Sequence, residues 1–173
     1  DFDRPFSDPD PHGCLFYASN GKGSWVLPAD NPDKQAQQIK AKHENELGKM
    51  RVCESVEASH SRLDDTARVV KFLSASGTPA RLDSQCKYAV VARGQADAYL
   101  RFPTQQGYIE KIWDHAAGKI LAEETGIIVT DIHSRPLDFS CGSELTSNRG
   151  VICAAPSFHG TIRNAIRKLA LYA

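Results

Sequence analysis

From about residue 50 to the C-terminus, short β-branched or aromatic runs alternate with segments whose apolar residues recur at helical spacing. This alternation constrains the fold more than any other feature, because strands that take turns with helices are satisfied by a sheet with helices packed on it. It predicts an α/β layer with helices on both faces of a central sheet. The expected strands are residues 51–56, 81–83, 96–102, 127–130 and 150–154. A helix is expected over 61–74, with Ser61 and Asp64 resembling a capping box and Leu63, Ala67, Val70 and Leu73 on one face. Further helices are expected over 84–93, ended by Gly94, over 112–125, ended by Gly126, and over 157–172, with Ile162, Ala165, Ile166, Leu169 and Ala170 inward. Upstream, two apolar runs within 13–27 flank Asn20-Gly21-Lys22-Gly23 and read as a β-hairpin. Residues 34–49 are polar with few apolar anchors, so a helix there would be solvent-exposed, and the Pro- and Asp-rich residues 1–12 read as an irregular arm.

Composition narrows the partners. Twenty-one basic residues balance twenty-one acidic ones, so there is no basic footprint for nucleic acid and no polybasic patch for a membrane. No apolar run approaches the ~20 residues a spanning helix needs. The five cysteines are scattered without a Cys-x-x-Cys pair. They predict buried thiols in a reducing, cytoplasmic setting rather than a disulfide scaffold or zinc ribbon.

Three places carry candidate chemistry. Asp114, in Trp113-Asp114-His115-Ala116-Ala117-Gly118, is expected in a helix's first turn beside small residues that leave room for a ligand. It reads either as a dipole-stabilising cap or as one ligand of a cation, which takes several oxygens. Ser84 is expected at a helix start, where a hydroxyl, free N–H groups and the helix dipole suit an anion. Lys87, one turn on, and Arg101, at the end of the next strand, are cations that can reach the same anion. The alternative is that Ser84 is an ordinary cap and both cations are solvated. His60 precedes a helix start, and no pair of histidines has zinc-ligand spacing.

Several runs together resemble one family. WDHAAG (113–118) followed by Glu124-Thr125-Gly126 is similar to the C-terminal signature of the inositol monophosphatase superfamily, lithium-sensitive and magnesium-dependent phosphatases. LDSQCKYAVVARGQADAYLRFP (82–103), EKIWDHAAG (110–118), Thr130-Asp131, PLDF (136–139), SVEASHS (55–61) and the hairpin GCLFYASNGKGSW resemble the 3'(2'),5'-bisphosphate nucleotidases within it. The resemblance covers about residues 13–171. It implies a layered α/β/α fold with a mixed sheet, and removal of the 3'-phosphate from 3'-phosphoadenosine 5'-phosphate to give AMP, as in sulfur assimilation. It further implies that Asp114 ligates Mg²⁺, that Ser84, Lys87 and Arg101 hold the nucleotide, and that His60 lies against the nucleoside.

The departures from the family pattern are specific. Neither the acidic Glu-Glu segment nor the Asp-Pro-Ile-Asp-Gly-Thr motif of the family's N-terminal domain, which carry most of its metal ligands, occurs upstream of the hairpin in the sequence. Ile127 replaces a glycine, and His60-Ser61-Arg62-Leu63 replaces His-Ser-Ser-His. Two-metal phosphoryl transfer needs several carboxylates. The expectation is therefore the C-terminal, substrate-side half of such a phosphatase, inactive alone: residues 1–33 as an arm and hairpin at the edge of a missing N-terminal domain, and 34–173 as the α/β domain. The alternatives are a non-catalytic relative that binds an adenosine phosphate or a protein, and a chain that self-associates through the hairpin.

Overall fold

The apolar runs around the glycine-rich turn close into an antiparallel hairpin of β1 (Cys14–Ala18) and β2 (Ser24–Pro28), with Cys14 opposite Pro28 and Ala18 opposite Ser24. Gly21 and Gly23 take positive φ in the turn. The structure, a computed structural model, describes residues 13–31, 33–40, 43–56, 62–105 and 107–171. Residues 1–12, and with them the expected irregular arm, lie outside this set. The polar stretch 34–49 holds no α-helix among the described residues. Instead β3 (Gln37–Gln38) pairs with β2 as the third strand of the small sheet, and Leu47–Lys49 forms a single 3₁₀ turn. With too few apolar anchors for a packed helix, these residues spend their backbone groups on the open edge of β2.

The main sheet has the order β5-β4-β6-β8-β7. Its strands are β4 (Val52–Glu54), β5 (Ala80–Arg81), β6 (Ala98–Arg101), β7 (Ile128–Thr130) and β8 (Val151–Ala154). β4 runs parallel to β5 and β6, whereas β8 is antiparallel to β6 and β7, so the sheet is mixed. All four residues of β8 are buried, which is why its sequence is apolar throughout rather than alternating. Two helix pairs, α1 (Leu63–Phe72) with α4 (Pro156–Lys168) and α2 (Cys86–Ala92) with α3 (Ala116–Glu123), complete the α/β/α layering. No helix among the described residues is long and apolar enough to cross a membrane.

Several local expectations are corrected. Ser61 lies outside the described residues, and no side chain caps α1. The buried side of α1 is Asp65, Thr66, Val69 and Leu73, while Ala67 is exposed. The rotation follows from Asp65, whose carboxylate is held at 3.0 Å by both Arg62 and Arg68. α4 ends at Lys168, leaving Ala170 exposed, and buries Phe158 and His159 as well as Ile162, Ala165 and Ile166. At the end of α3 the positive φ falls on Gly126, so Ile127 keeps an ordinary backbone and is buried in the core. Cys53 and Cys153 are buried, and burial pushes the Cys53 thiol up to about 12, but Cys86 and Cys141 are exposed.

One carboxylate ties the edge of this layer together. Asp97, fully buried, accepts from the Arg51 guanidinium at 2.8 and 2.9 Å and from the Arg51 and Glu44 backbone N–H groups. Burial disfavours its charge, but the His43 ring 3.8 Å away and the hydrogen bonds from Arg51 win, and its pKa falls well below the carboxylate range. Because the folded pKa lies below that of the unfolded chain, its stabilisation is whole above about pH 4 and fades as the pH falls further. Asp97→Asn should lower the urea-unfolding free energy at pH 7 by about 3–5 kcal/mol. The gap from the parent should narrow in acid; a constant gap from pH 7 to pH 3 would contradict this account.

Candidate functional site

The loop before α2, the end of β6 and the segment before α3 meet at a cleft of about 590 Å³. It is lined by Ser84, Gln85, Cys86, Lys87, Tyr99, Arg101, Tyr108 and Asp114. Four residues singled out from the sequence thus share one cavity; His60 lies outside the described residues. A second cleft of about 610 Å³, lined by His43, Glu44, Lys49, Arg51, Ser76, Gly77 and Thr78, contains none of them. Its Arg51 is committed to Asp97, and Lys49 is paired with Glu46.

Each side chain sits differently from the simplest expectation. Ser84 is not the cap of α2, which starts two residues later at Cys86. It occupies the left-handed region at φ 66, and its Oγ accepts from the Cys86 N–H at 3.2 Å. Lys87 is not a solvated charge: it is 2% exposed, its amine lies 5.3 Å from the centre of the Tyr99 ring, and it donates to the Leu82 carbonyl. Burial lowers its pKa from the usual lysine value. Asp114 closes a 3₁₀ turn (Ile112–Asp114) ahead of α3 rather than opening the helix. Its side chain is 41% exposed, 3.9 Å from Arg101.

Arg101 is the best-held member. Its Nε lies 2.7 Å from Glu110 Oε2, and its Nη2 donates to the Tyr108 hydroxyl at 3.3 Å. Burial opposes its charge, but Glu110 raises its pKa beyond the usual arginine value. Burial likewise disfavours the Glu110 carboxylate, yet the hydrogen bond from His115 and the charge of Arg101 bring its pKa below the ordinary range. With Glu110 ionised, His115 Nε2 donates to it at 3.1 Å, and His115 Nδ1 and the Tyr88 hydroxyl share a hydrogen bond at 2.7 Å.

Two further devices set the cleft's width. The Gln85 carboxamide donates to the Trp113 carbonyl at 2.6 Å and accepts from the Gly118 N–H at 2.7 Å, so it bridges the start of α2 to both sides of Asp114. Gly118 lets α3 approach α2 so closely that a Cβ there would meet the Tyr88 ring at 2.3 Å. Gln85, Tyr88, Glu110 and His115 drew no functional reading from the sequence. They lie within runs that carried the family resemblance, but nothing in their spacing announces these contacts.

The cleft offers a hydroxyl, two cations, two phenols and one carboxylate. That set suits a phosphate-bearing ligand: the guanidinium offers paired N–H donors and the ammonium a point charge. It does not by itself make a cation cradle. Among the described residues no group of three or more His, Cys, Asp or Glu side chains converges on a metal position.

Known proteins are similar in both sequence and fold. The inositol monophosphatase family pattern matches residues 5–170. The 3'(2'),5'-bisphosphate nucleotidase of Emericella nidulans is 40% identical over 159 residues, 91% of this chain and 45% of the relative. That of Schizosaccharomyces pombe is 38% identical over 154 residues, 89% of this chain and 43% of the relative. The inositol monophosphatase from Anabaena (Nostoc) sp. PCC 7120 superposes with a TM-score of 0.65 at 24% identity, over 91% of this chain and 55% of that one. Mycobacterium tuberculosis SuhB superposes with a TM-score of 0.63 at 19% identity, over 90% and 54%. The chain spans about half the length of the curated relatives it matches.

A helix-favouring Ala at an open glycine gains about 1 kcal/mol. Gly118→Ala should instead cost about 1–3 kcal/mol through overpacking against Tyr88. A melting temperature at or above the parent's would show that α2 and α3 are not in such close contact.

Proposed function

The chain belongs to the inositol monophosphatase family, and from that premise we propose that it is the substrate-side part of a magnesium-dependent 3'(2'),5'-bisphosphate nucleotidase. Its reaction would be the hydrolysis of 3'-phosphoadenosine 5'-phosphate to AMP and phosphate. The observation that carries this reading is the convergence of Ser84, Lys87, Arg101 and Asp114 on one cleft. The curated relatives that bear the nucleotidase name support it.

In this reading Arg101 and Lys87 neutralise phosphate oxygens, and the Ser84 hydroxyl donates to one of them. Lys87 suits the task because it is already desolvated: an anion entering the cleft meets a charge that water screens poorly. His60 would lie against the nucleoside. A bound divalent cation polarises a phosphoryl oxygen and activates water. Asp114, partly exposed and facing Arg101, is suited to be one of its ligands. A hard cation takes about six oxygens, and these residues furnish one side chain, so the cation chemistry is not assigned to this chain alone. The remaining carboxylates would come from a further N-terminal portion, with the hairpin at its edge.

That single carboxylate also favours a second reading, a relative that binds an adenosine phosphate without turning it over. The two part on complementation. Under the first, adding the N-terminal half of a full-length relative restores Mg²⁺-dependent phosphate release. Under the second it does not.

For the 173 residues alone, 3'-phosphoadenosine 5'-phosphate should raise the melting temperature, adenosine should raise it less, and phosphate release with Mg²⁺ should stay at background. Brisk turnover by this chain would refute the division of labour, and the absence of any bisphosphate-induced shift would refute the site.

A further inference from the structure

A set of buried groups with no role in the reading above ends at the cleft. Tyr88, His115 and Glu110 are 1%, 0% and 2% exposed, and none of them lines the cavity. They form a chain in which the Tyr88 hydroxyl meets His115 Nδ1, His115 Nε2 meets Glu110 Oε2, and that oxygen meets Arg101 Nε. Arg101 is the member that reaches the cavity.

The geometry divides the guanidinium into two edges. On the inside, Glu110 Oε2 pairs with the guanidinium as an ion pair, 2.7 Å from Nε, and Nη2 is turned toward Tyr108 and Asp114 at the cleft. An arginine stem has several rotatable bonds, and holding one geometry costs side-chain entropy on each binding event. A carboxylate clamped behind the Nε bears that cost during folding, leaving the outer N–H groups aimed before a ligand arrives. The carboxylate is clamped in turn by His115, and the His115 ring by Tyr88. Charge alone does not demand this arrangement, since apolar residues often replace buried ion pairs at no loss of stability.

We propose that Glu110, backed by His115 and Tyr88, is a positioning residue that fixes Arg101 as a preformed fork for phosphate oxygens. This rests on the reading of the cleft as a phosphate site. Glu110 acts on the ligand through Arg101 alone, without touching it.

The test is a double-mutant cycle on the full chain, with the affinity for 3'-phosphoadenosine 5'-phosphate measured by calorimetry. Glu110→Gln and Arg101→Lys should each weaken binding about ten-fold or more. The double variant should bind no more weakly than Arg101→Lys alone, because removing the fork leaves Glu110 nothing to position. Losses that multiply in the double variant would overturn the proposal, since a structural role acts whether or not Arg101 is present.

A ligand-free measurement separates this from the reading beneath it. In ¹⁵N spectra of the parent, the Arg101 Nε–H should exchange slowly with water and be lost or shifted in Glu110→Gln. Exchange as fast as at exposed arginines overturns the proposal even if Glu110→Gln fails to fold. A slow Nε–H in a parent protein that binds no bisphosphate overturns the phosphate-site reading and the positioning role with it, while leaving the Glu110–Arg101 contact intact.

Discussion

A carboxylate cut off from water governs the end of this molecule where the cleft lies. Left alone, buried Glu110 would be disfavoured as an anion, and half-buried Arg101 would be disfavoured as a cation. Each answers the other's charge, and His115 supplies a further donor to the carboxylate. Breaking a buried pair strands a charge, which costs about 3–5 kcal/mol, so the groups are obliged to stay together. They come from the end of β6 and from the segment leading into α3, and the Tyr88 hydroxyl adds α2. One electrostatic requirement thereby sets the relative positions of three elements that form the cleft wall.

Packing makes that requirement geometrically possible. Gly118 permits α2 and α3 to approach until the Tyr88 ring fills the space a side chain would take, which puts its hydroxyl in reach of His115. Gln85 spans the same gap on the cleft side. The hairpin is pinned to the far end of α3, where the Glu124 carboxylate accepts from the Gly21 and Gly23 N–H groups at 2.8 Å. Phe16 and Ala18 of β1 pack against Ala89, Ala92 and Leu121. The small sheet is therefore joined to the helices that carry the cleft.

Elements in which a buried neighbour imposes a period were legible. β8 reads as a buried strand because both its faces are covered, and α4 because Ile162, Ala165 and Ile166 face the core. β3 was not legible, since two glutamines become a strand only because β2 offers them a free edge. The buried face of α1 was misjudged because a paired Asp65 can go where an apolar count would not send it. In the cleft, residue type and motif resemblance pointed to Ser84, Lys87, Arg101 and Asp114. The exposure of each did not follow: a lysine looks the same in sequence whether it is solvated or lies against a tyrosine ring.

Local chemistry and periodicity were enough to establish an alternating α/β layer, a hairpin with its glycine turn, and a small set of phosphate-compatible side chains, because those properties depend on neighbours a few residues apart. Tertiary structure decided which polar groups are buried, and therefore which must be paired. Gln85 finds its partners 28 and 33 residues away, and Tyr88 finds His115 across 27. Contacts at that range arise only when helices are brought together on a common sheet, and no pattern along the chain encodes them.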